Sequence, residues 1–392
     1  MSSLSANVIR EMLEEKSRLR ELLSSQLSES EKKSAERDYH AKRPPRPCGI
    51  TVHTAIGCVY QCRYCYIYDM GFKIEVKPYP LRGLQLAYAL LSNKYFIPGS
   101  RGTYLAVGSI SEPFHPAVVN KTLEYIEAFY RYLNNPVQFS TKAYLSSQVC
   151  EKLANISSKR ISPLVTVVSL SESASLEPYA PKPEKRFETI RNLREAGLKP
   201  FLFLRPVIPG LTEKEYEEII DLAVEHGAIG VVAGTLRVTR RILSELREAG
   251  LDVSVINRRL KIPVEKMRSN VQYDVYTSDI KSQVANYARH KGLVFFPSAC
   301  MANLYTHNTS CWKMVHMNVE LSVKPREVDF EVVESIVKQL GGEASKVIFN
   351  RGELLVYTSS KVDSRLISEV LRSYFLACVR VTRSKGNGGR LE

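Results

Sequence analysis

The chain reads Gly57-Cys58-Val59-Tyr60-Gln61-Cys62-Arg63-Tyr64-Cys65-Tyr66 across a short loop that directly follows a predicted strand. This loop carries three cysteines at C-x3-C-x2-C spacing. Three thiolates on one short loop can bind three irons of a four-iron cubane, and the fourth iron then stays open to the amino and carboxylate groups of a small molecule. The spacing therefore indicates a [4Fe–4S] cluster held by Cys58, Cys62 and Cys65.

The residues alone leave two other interpretations of this loop open. A zinc site usually has four ligands, and Cys48 or His53 is near enough in sequence to supply the fourth. Cysteines without a ligand are also common in protein cores, although three on one tight loop are hard to explain by packing. A non-catalytic iron–sulfur or zinc protein therefore remains a distant alternative to an enzyme.

Short apolar segments alternate with amphipathic segments from residue 49 onward, which predicts strands and helices in turn. Such alternation is typical of a parallel sheet with right-handed crossovers. Six strand–helix units are too few for a closed eight-stranded barrel, so we predict an α/β fold based on a partial (βα)6 TIM-type barrel. The predicted strands are Ile50–Ile56, Thr103–Val107, Val137–Ser140, Leu164–Ser169, Pro200–Leu204 and Gly230–Ala233.

Two further units flank this pattern. Residues 1–45 predict an N-terminal helical extension, and residues 46–312 predict the core, with a polar lid loop over Ser298–Ser310. Residues 313–384 follow the order strand, helix, strand, strand, helix, strand, beginning with a predicted strand at Val315–Val323. This order predicts a ferredoxin-like α+β domain. Residues 385–392 predict a disordered tail.

The composition is basic, with 55 Lys and Arg against 41 Asp and Glu and a net charge of +14. Most of the excess falls between residues 46 and 312, the segment that carries the cysteine loop. A positive field of this kind favours anionic partners such as nucleic acid, although a basic protein without a polymer ligand remains open. We expect a cytoplasmic protein with no membrane association, because the sequence shows neither a signal peptide nor a long apolar run.

The cysteine loop resembles the motif of the radical S-adenosylmethionine (SAM) superfamily, including the aromatic residue before the last cysteine, here Tyr64. Further segments resemble the branch that contains spore photoproduct lyase and DNA repair photolyase-like proteins. They follow the second to fifth predicted strands: Gly108–Pro116, Ser140–Lys142, Leu176–Pro181 and Arg205–Leu211. The resemblance covers roughly residues 48–305 and implies reductive cleavage of SAM to a 5′-deoxyadenosyl radical that abstracts hydrogen from a substrate.

The resemblance also implies roles for residues at the strand ends. It predicts that SAM contacts residues from the cysteine loop and from the second to fifth strands: Tyr64, Gly108, Ser109, Ser111, Lys142, Ser169 and Arg205. Ser109 and its neighbours are expected at the SAM amino group, and Lys142 at the carboxylate. A ferredoxin- or flavodoxin-type protein is expected to supply the electron.

The spore enzyme uses a hydrogen-donating cysteine after its second strand, whereas this chain has Ser109-Ile110-Ser111 there. Cys300 is therefore the candidate for a catalytic thiol supplied from elsewhere. The substrate is predicted to be a nucleic acid base or nucleotide, and the alternative is a small molecule, lipid or peptide.

Overall fold

The computed structural model describes residues 2–46, 48–269, 271–317, 319, 323–359 and 361–384, with side chains from Arg10 onward. The predicted tail over residues 385–392 lies outside these ranges.

Strands occur in the core and in the C-terminal unit of the described chain. In chain order they are β1 (Gly49–Val52), β2 (Ala55–Ile56), β3 (Lys77–Pro78), β4 (Tyr104–Val107), β5 (Val137–Thr141), β6 (Ser162–Thr166), β7 (Phe201–Val207), β8 (Gly230–Thr235), β9 (Arg237–Val238), β10 (Tyr273–Asp274), β11 (Val294–Phe296), β12 (Ala344–Asn350), β13 (Glu353–Thr358) and β14 (Cys378–Arg383).

The described α-helices are α1 (Ser2–Ser24), α2 (Glu29–Arg37), α3 (Tyr39–Lys42), α4 (Gly83–Ser92), α5 (Val119–Ala128), α6 (Ser147–Ile156), α7 (Ser173–Leu176), α8 (Pro183–Glu195), α9 (Thr212–Glu225), α10 (Arg240–Glu248), α11 (Val253–Asn257), α12 (Ser278–His290), α13 (Ala299–Thr306), α14 (Trp312–His316), α15 (Phe330–Gln339) and α16 (Ser364–Phe375). A π-helical turn, Phe129–Leu133, extends α5, and 3-10 turns lie at Tyr66–Met70 and Val264–Lys266.

The central sheet is parallel and has the strand order β1-β4-β5-β6-β7-β8-β11. The α/β prediction is confirmed, and the six predicted strands are joined by a seventh, because β11 pairs in parallel with β8. Every connection in the sheet joins strands of the same direction, so all carboxyl ends lie at one edge. That edge is where parallel α/β folds place their ligands.

Helices cover the outer face of the sheet and bury large apolar side chains against it. Leu86 on α4 and Ile190 on α8 are fully buried with Phe139 on β5 in one continuous core. The N-terminal helices extend this layer, because Leu23 on α1 packs into the same core. Lys16 on α1 also donates to the Asn93 carbonyl at 2.6 Å, which attaches α1 to the end of α4.

The inner face of the sheet is filled by α13, where the sequence predicted a polar loop over Ser298–Ser310. That prediction is wrong because one face of the segment is apolar, and Met301, Ala302 and Leu304 pack on strand residues that include Phe201. The polar groups of the helix also find partners, since the Asn303 amide donates to the Pro136 carbonyl at 3.3 Å. The helix therefore closes the interior of the sheet beneath its carboxyl-end edge.

The C-terminal unit contains a three-stranded sheet, with β12 antiparallel and β14 parallel to the central β13. The strand predicted over Val315–Val323 is not observed, because Trp312–His316 form α14, and residues 318 and 320–322 lie outside the described ranges. Trp312 holds this helix by packing on Phe349, with 4.9 Å between the ring centroids. A four-stranded ferredoxin-like sheet is therefore not seen in the described part of the unit.

None of the described helices is both long and apolar enough to cross a membrane.

Candidate functional site

A cavity of about 650 Å³ opens at the carboxyl ends of the central strands. The cysteine loop forms one wall, and segments after β4, β5, β7 and β8 form the others. Of the predicted site residues, the cavity is lined by Cys58, Cys62, Cys65, Tyr64, Gly108, Ser109, Ser111, Lys142 and Arg205. The fold therefore brings together residues that are separated by up to about 150 positions in the sequence.

The cysteine loop is fixed to the core by hydrogen bonds on both flanks. The Arg63 N–H donates to the Leu176 carbonyl at 2.9 Å, and the Tyr68 hydroxyl donates to the Cys58 carbonyl at 3.0 Å. Arg241 on α10 donates to the Cys65 carbonyl at 2.5 Å and to the Asp69 carboxylate at 2.9 Å. These contacts hold the backbone that carries the three thiols.

The three thiols are largely buried, and backbone N–H groups face two of them. Burial raises the pKa of the Cys58 thiol to about 11 and also raises the pKa of Cys62 and Cys65, so the bare thiols favour protonation. The Tyr60 N–H at Cys58 and the Ile67 N–H at Cys65 act in the opposite direction and favour the thiolates. A metal cluster binds the deprotonated form, so these residues fit an iron–sulfur cluster.

The turn after β4 depends on Gly108, which has φ +96°. A Cβ at this position would lie 2.5 Å from the Ser140 carbonyl oxygen, so a side chain is excluded. The turn presents Ser109 and Ser111 to the cavity. The Ser109 carbonyl accepts from the Tyr66 hydroxyl at 3.3 Å, which joins the turn to the cysteine loop.

Glu112 follows this turn and holds the end of β5 in place. Its buried carboxylate accepts from the Thr141 hydroxyl at 2.5 Å, the Lys142 N–H at 2.9 Å and the Phe114 N–H at 3.1 Å. Burial raises the pKa of Glu112, while these donors oppose the rise. Both oxygens of the carboxylate are therefore occupied by groups of the protein, one by Thr141 and Phe114 and the other by the Lys142 N–H.

Lys142 enters the cavity between the cysteine loop and a buried acidic residue. Its Nζ lies 3.8 Å from a Glu177 oxygen and 5.5 Å from the centre of the Tyr64 ring. Burial lowers the pKa of Lys142, but the charges of Cys62 and Glu177 outweigh burial and raise it. Lys142 is therefore a cation whose side chain is already oriented toward the cysteine loop.

Glu177 is the centre of a buried network that the sequence reasoning did not assign. It accepts hydrogen bonds from the Tyr64 hydroxyl and from the Arg186 guanidinium, and the side chains of Glu177 and Arg186 are both 1% exposed. Arg186 also donates to the Pro181 carbonyl at 2.7 Å. The network fixes Tyr64, and the quoted Leu176–Pro181 segment was the only sequence signal for it.

Two predicted residues lie elsewhere. Ser169 is 1% exposed and accepts from the Glu172 N–H at 2.9 Å, and the residues of this strand that line the cavity are Leu164 and Thr166. The difference arises because β6 ends at Thr166, three residues earlier than predicted. Cys300 also lies off the cavity wall, where the preceding Ala299 takes its place.

The two zinc ligands considered for the triad are not beside it either. His53 packs in an aromatic cluster, with its ring centroid 5.1 Å from that of His40 and 6.2 Å from that of Tyr79. Cys48 packs with Cys300 and Cys311 on the inner core of the sheet. The arrangement therefore leaves three cysteines on the loop, as an open cubane site requires.

The mouth of the cavity is basic. The Arg205 side chain is exposed at this mouth and packs against Gly234. A Cβ added to Gly234 would lie 2.5 Å from Arg205 Cδ. Arg43, Arg46 and Arg237 line the same mouth, and a second cavity of about 410 Å³ adjoins it and adds Lys281. Burial lowers the pKa of Arg205, and the charge of Arg237 lowers it further.

These cations have few acidic partners. Arg237 donates to Asp274 at 2.7 Å, whereas no ion pair of Arg43, Arg46, Arg205 or Lys281 is found within the described residues. Sequence reasoning singled out Arg205 but missed Arg43, Arg46 and Lys281. Only the overall positive charge hinted at them, because they come from separate segments.

Parts of this chain are similar in sequence to known proteins. Residues 52–223 match the model of the Radical SAM superfamily. An uncharacterized protein of Methanocaldococcus jannaschii is 26% identical over 188 residues, which are 45% of this chain and 69% of that protein. An uncharacterized protein of Acidianus two-tailed virus is 23% identical over 239 residues, which are 56% of this chain and 74% of that protein.

Solved structures of spore photoproduct lyase share the fold. A single-site variant aligns with a TM-score of 0.52 and 17% identity, over 64% of this chain and 78% of that one. A variant with bound AdoMet and dinucleoside spore photoproduct aligns with a TM-score of 0.53 and 17% identity, over 66% and 79%.

A radical SAM domain implies SAM, an iron–sulfur cluster and a one-electron reductant. The cysteine loop and the parallel sheet agree with these matches: residues 52–223 form a radical SAM domain, which makes the protein a radical SAM enzyme, and the fold is similar to that of spore photoproduct lyase.

Proposed function

We propose that this enzyme cleaves SAM at a [4Fe–4S] cluster held by Cys58, Cys62 and Cys65 and acts on a base or nucleotide of a nucleic acid. When bound, the cluster and SAM together supply a 5′-deoxyadenosyl radical that abstracts hydrogen from the substrate. The observation that carries the substrate class is the group of cations without acidic partners at the mouth of the cavity.

The residues of the inner cavity bind and orient SAM in this proposal. Lys142 pairs with the SAM carboxylate. A Glu177 oxygen 3.8 Å from Lys142 Nζ keeps this ammonium group near the cysteine loop. Gly108, Ser109 and Ser111 supply the polar wall for the amino group. Tyr64 is fixed through its hydroxyl by Glu177 and closes the site beside Lys142.

The cations of the mouth bind the phosphates of the substrate. Phosphate contacts position a nucleic acid without reading its sequence, and arginine is well suited to them because its guanidinium donates in two directions. Arg205 lies between the SAM cavity and the adjoining one, since it lines both. A substrate phosphate at Arg205 would thus place the attached nucleoside near the cysteine loop.

The spore photoproduct lyase structure with the same fold holds a dinucleoside, and this supports the nucleic acid class for the present chain. The reaction is proposed to differ from dimer repair. Among the described residues, the cysteines that line the cavity are those of the triad, so a separate hydrogen-donating thiol has no place on its wall. We therefore propose a modification that needs no such thiol.

The salt dependence of binding tests the substrate class. The full chain is reconstituted without oxygen, and the fluorescence anisotropy of a short labelled RNA or DNA strand is titrated at several salt concentrations. Four phosphate contacts predict that affinity falls about fiftyfold between about 50 and 200 mM salt, from a slope of about −0.7 per contact for a single strand.

Binding that does not change with salt would contradict the nucleic acid proposal. In that case a small molecule, lipid or peptide becomes the better substrate class, and cell extracts separated by size would identify the fraction that increases 5′-deoxyadenosine formation.

A further inference from the structure

Four cysteines of the chain take no part in the SAM site and yet lie together in space. Cys48 precedes β1, Cys300 lies in α13, Cys311 precedes α14, and Cys378 begins β14. All four are free and partly buried. The sequence separates them by as many as 330 positions, so only the fold brings them to one place.

Contacts with the inner core of the sheet bring the first three together. Cys48, Cys300 and Cys311 pack against one cluster of buried side chains that contains Tyr104 and Met314. The Tyr104 N–H also donates to the Cys48 carbonyl at 3.3 Å, which fixes the segment before β1.

Backbone contacts bring Cys378 to the same place. The N–H of Trp312, the residue after Cys311, donates to the Leu376 carbonyl at 3.2 Å, two positions before Cys378. The Lys313 side chain lies beside the group, within electrostatic range of all four thiols.

A buried cation with a free donor faces this group. Arg372 is 5% exposed, and its Nε and Nη2 donate to Glu369 at 3.1 and 2.7 Å. Its Nη1 is buried and has no hydrogen-bond partner among the described residues. The guanidinium lies 5.3 Å from the centre of the Tyr104 ring, beside Cys48. A buried donor of this kind requires an acceptor, and the nearby sulfurs are too weak to provide one as neutral thiols.

We propose that Cys48, Cys300, Cys311 and Cys378 bind a second iron–sulfur cluster, a [4Fe–4S] cubane with one cysteine on each iron. Each thiol loses its proton on binding, and the four thiolates give the oxidised cluster a net charge of about −2. Arg372 and Lys313 supply positive charge beside it, and the free Nη1 of Arg372 gains a sulfur acceptor.

The four cysteines come from four separate segments, whereas the cysteines of structural zinc sites usually come in closely spaced pairs, and this favours a cluster over a single zinc ion. In the described ranges, no group of three or more His, Cys, Asp or Glu side chains is placed to hold one metal ion, and this applies equally to Cys58, Cys62 and Cys65. A cubane spreads its cysteines over separate irons, so it needs a wider arrangement than the tetrahedron around one zinc.

The second cluster would connect the C-terminal unit to the core. Cys48 and Cys300 belong to the segments around the central sheet, whereas Cys378 belongs to the three-stranded sheet. Because Ala299 lines the SAM cavity, the ligand Cys300 would lie directly behind its wall. This proposal does not depend on the substrate or on SAM cleavage.

Metal analysis of a chain without the SAM triad tests the second cluster. The full chain carrying Cys58→Ala, Cys62→Ala and Cys65→Ala is reconstituted without oxygen with iron and sulfide, alongside the wild type. We expect about eight irons for each wild-type chain and about four for the triple variant, which should stay brown. Adding Cys300→Ala and Cys378→Ala to the triple variant should remove the remaining iron and colour.

Cys150→Ala in the triple variant is the matched control, because Cys150 is fully buried in the outer core, away from both groups. It should keep about four irons. A colourless triple variant that is folded by circular dichroism would overturn the proposal, and so would one zinc for each chain in place of iron. Because no variant is assayed for SAM cleavage, these results are separate from those that test the proposed function.

Discussion

The two ends of the cavity differ in how completely their polar groups are paired. At the inner end, Glu112 accepts three hydrogen bonds and Glu177 is shared by Tyr64, Arg186 and Lys142. At the mouth, Arg205 and Lys281 form no ion pair within the described residues. One end is fixed before any ligand binds, and the other presents free positive charge.

This difference separates the two tasks of the enzyme. A rigid network whose polar groups are already hydrogen-bonded suits a cofactor that is the same in every turnover, because preorganised groups need no rearrangement when the cofactor binds. Exposed cations suit a large anionic substrate that must enter and leave, because the contribution of each cation to the binding free energy is small and sensitive to salt. Substitutions at the inner end should therefore have large effects, and those at the mouth small ones.

The largest effect is expected at the cysteine loop. Cys62→Ala leaves two ligands for the cluster, and we expect 5′-deoxyadenosine formation to fall to the background without protein. The product is quantified by mass spectrometry after anaerobic incubation with SAM and a chemical reductant. Cys150→Ala should keep wild-type activity, and product formation by Cys62→Ala would show that this loop does not hold the catalytic cluster.

The next effect concerns the stability of the inner end. Arg186→Met leaves the Glu177 carboxylate buried without its guanidinium partner, which should reduce the free energy of unfolding by about 3–5 kcal/mol. Arg237→Met removes the exposed pair with Asp274 at the mouth and should cost less than about 1 kcal/mol. Denaturant titration measures both, and equal losses would remove the contrast between the two ends.

A smaller effect is expected for SAM affinity at Lys142. Lys142→Ala removes one charge-assisted hydrogen bond to the SAM carboxylate, worth about 1.5–3 kcal/mol, so Kd should rise by roughly 10- to 150-fold. Equilibrium dialysis of SAM against the reconstituted protein measures it. Lys185→Ala, an exposed lysine paired with Glu188, is the control and should not change Kd. An unchanged Kd for Lys142→Ala would exclude Lys142 from the carboxylate site.

The smallest effects are expected at the mouth. Arg205→Gln and Lys281→Gln should each reduce the salt slope of nucleic acid binding by about one phosphate contact. The same anisotropy titration measures the slopes, with Lys185→Gln as the control outside the mouth. Slopes equal to that of the wild type in both variants would show that the phosphates bind elsewhere.

Sequence reasoning succeeded where the chemistry is local. The cysteine spacing and the turn at Gly108 each lie within about ten residues, and the order of the parallel strands places such segments at one edge. It failed where residues meet only through the fold. Arg43 lines the first cavity and Lys281 the adjoining one, although 238 positions separate them, and Cys48 lies within electrostatic range of Cys378 across almost the whole chain.

Two errors have a common physical cause. Residues 315–323 alternate between apolar and polar, which predicts a strand, but Trp312 and Met314 anchor the start of this segment as α14. The 298–310 segment reads as polar, but its few apolar residues fill the inner face of the sheet. In both cases tertiary packing decides the structure of a segment whose local pattern is weak.

Transfer of deuterium from a nucleic acid to the product tests the central claim most directly. RNA and DNA from cells grown in deuterated medium are incubated without oxygen with the reconstituted enzyme, reductant and unlabelled SAM, and 5′-deoxyadenosine is analysed by mass spectrometry. The account predicts product that carries one deuterium, and none with Cys62→Ala. Product without deuterium would contradict the nucleic acid substrate, and the absence of any product would contradict the radical chemistry.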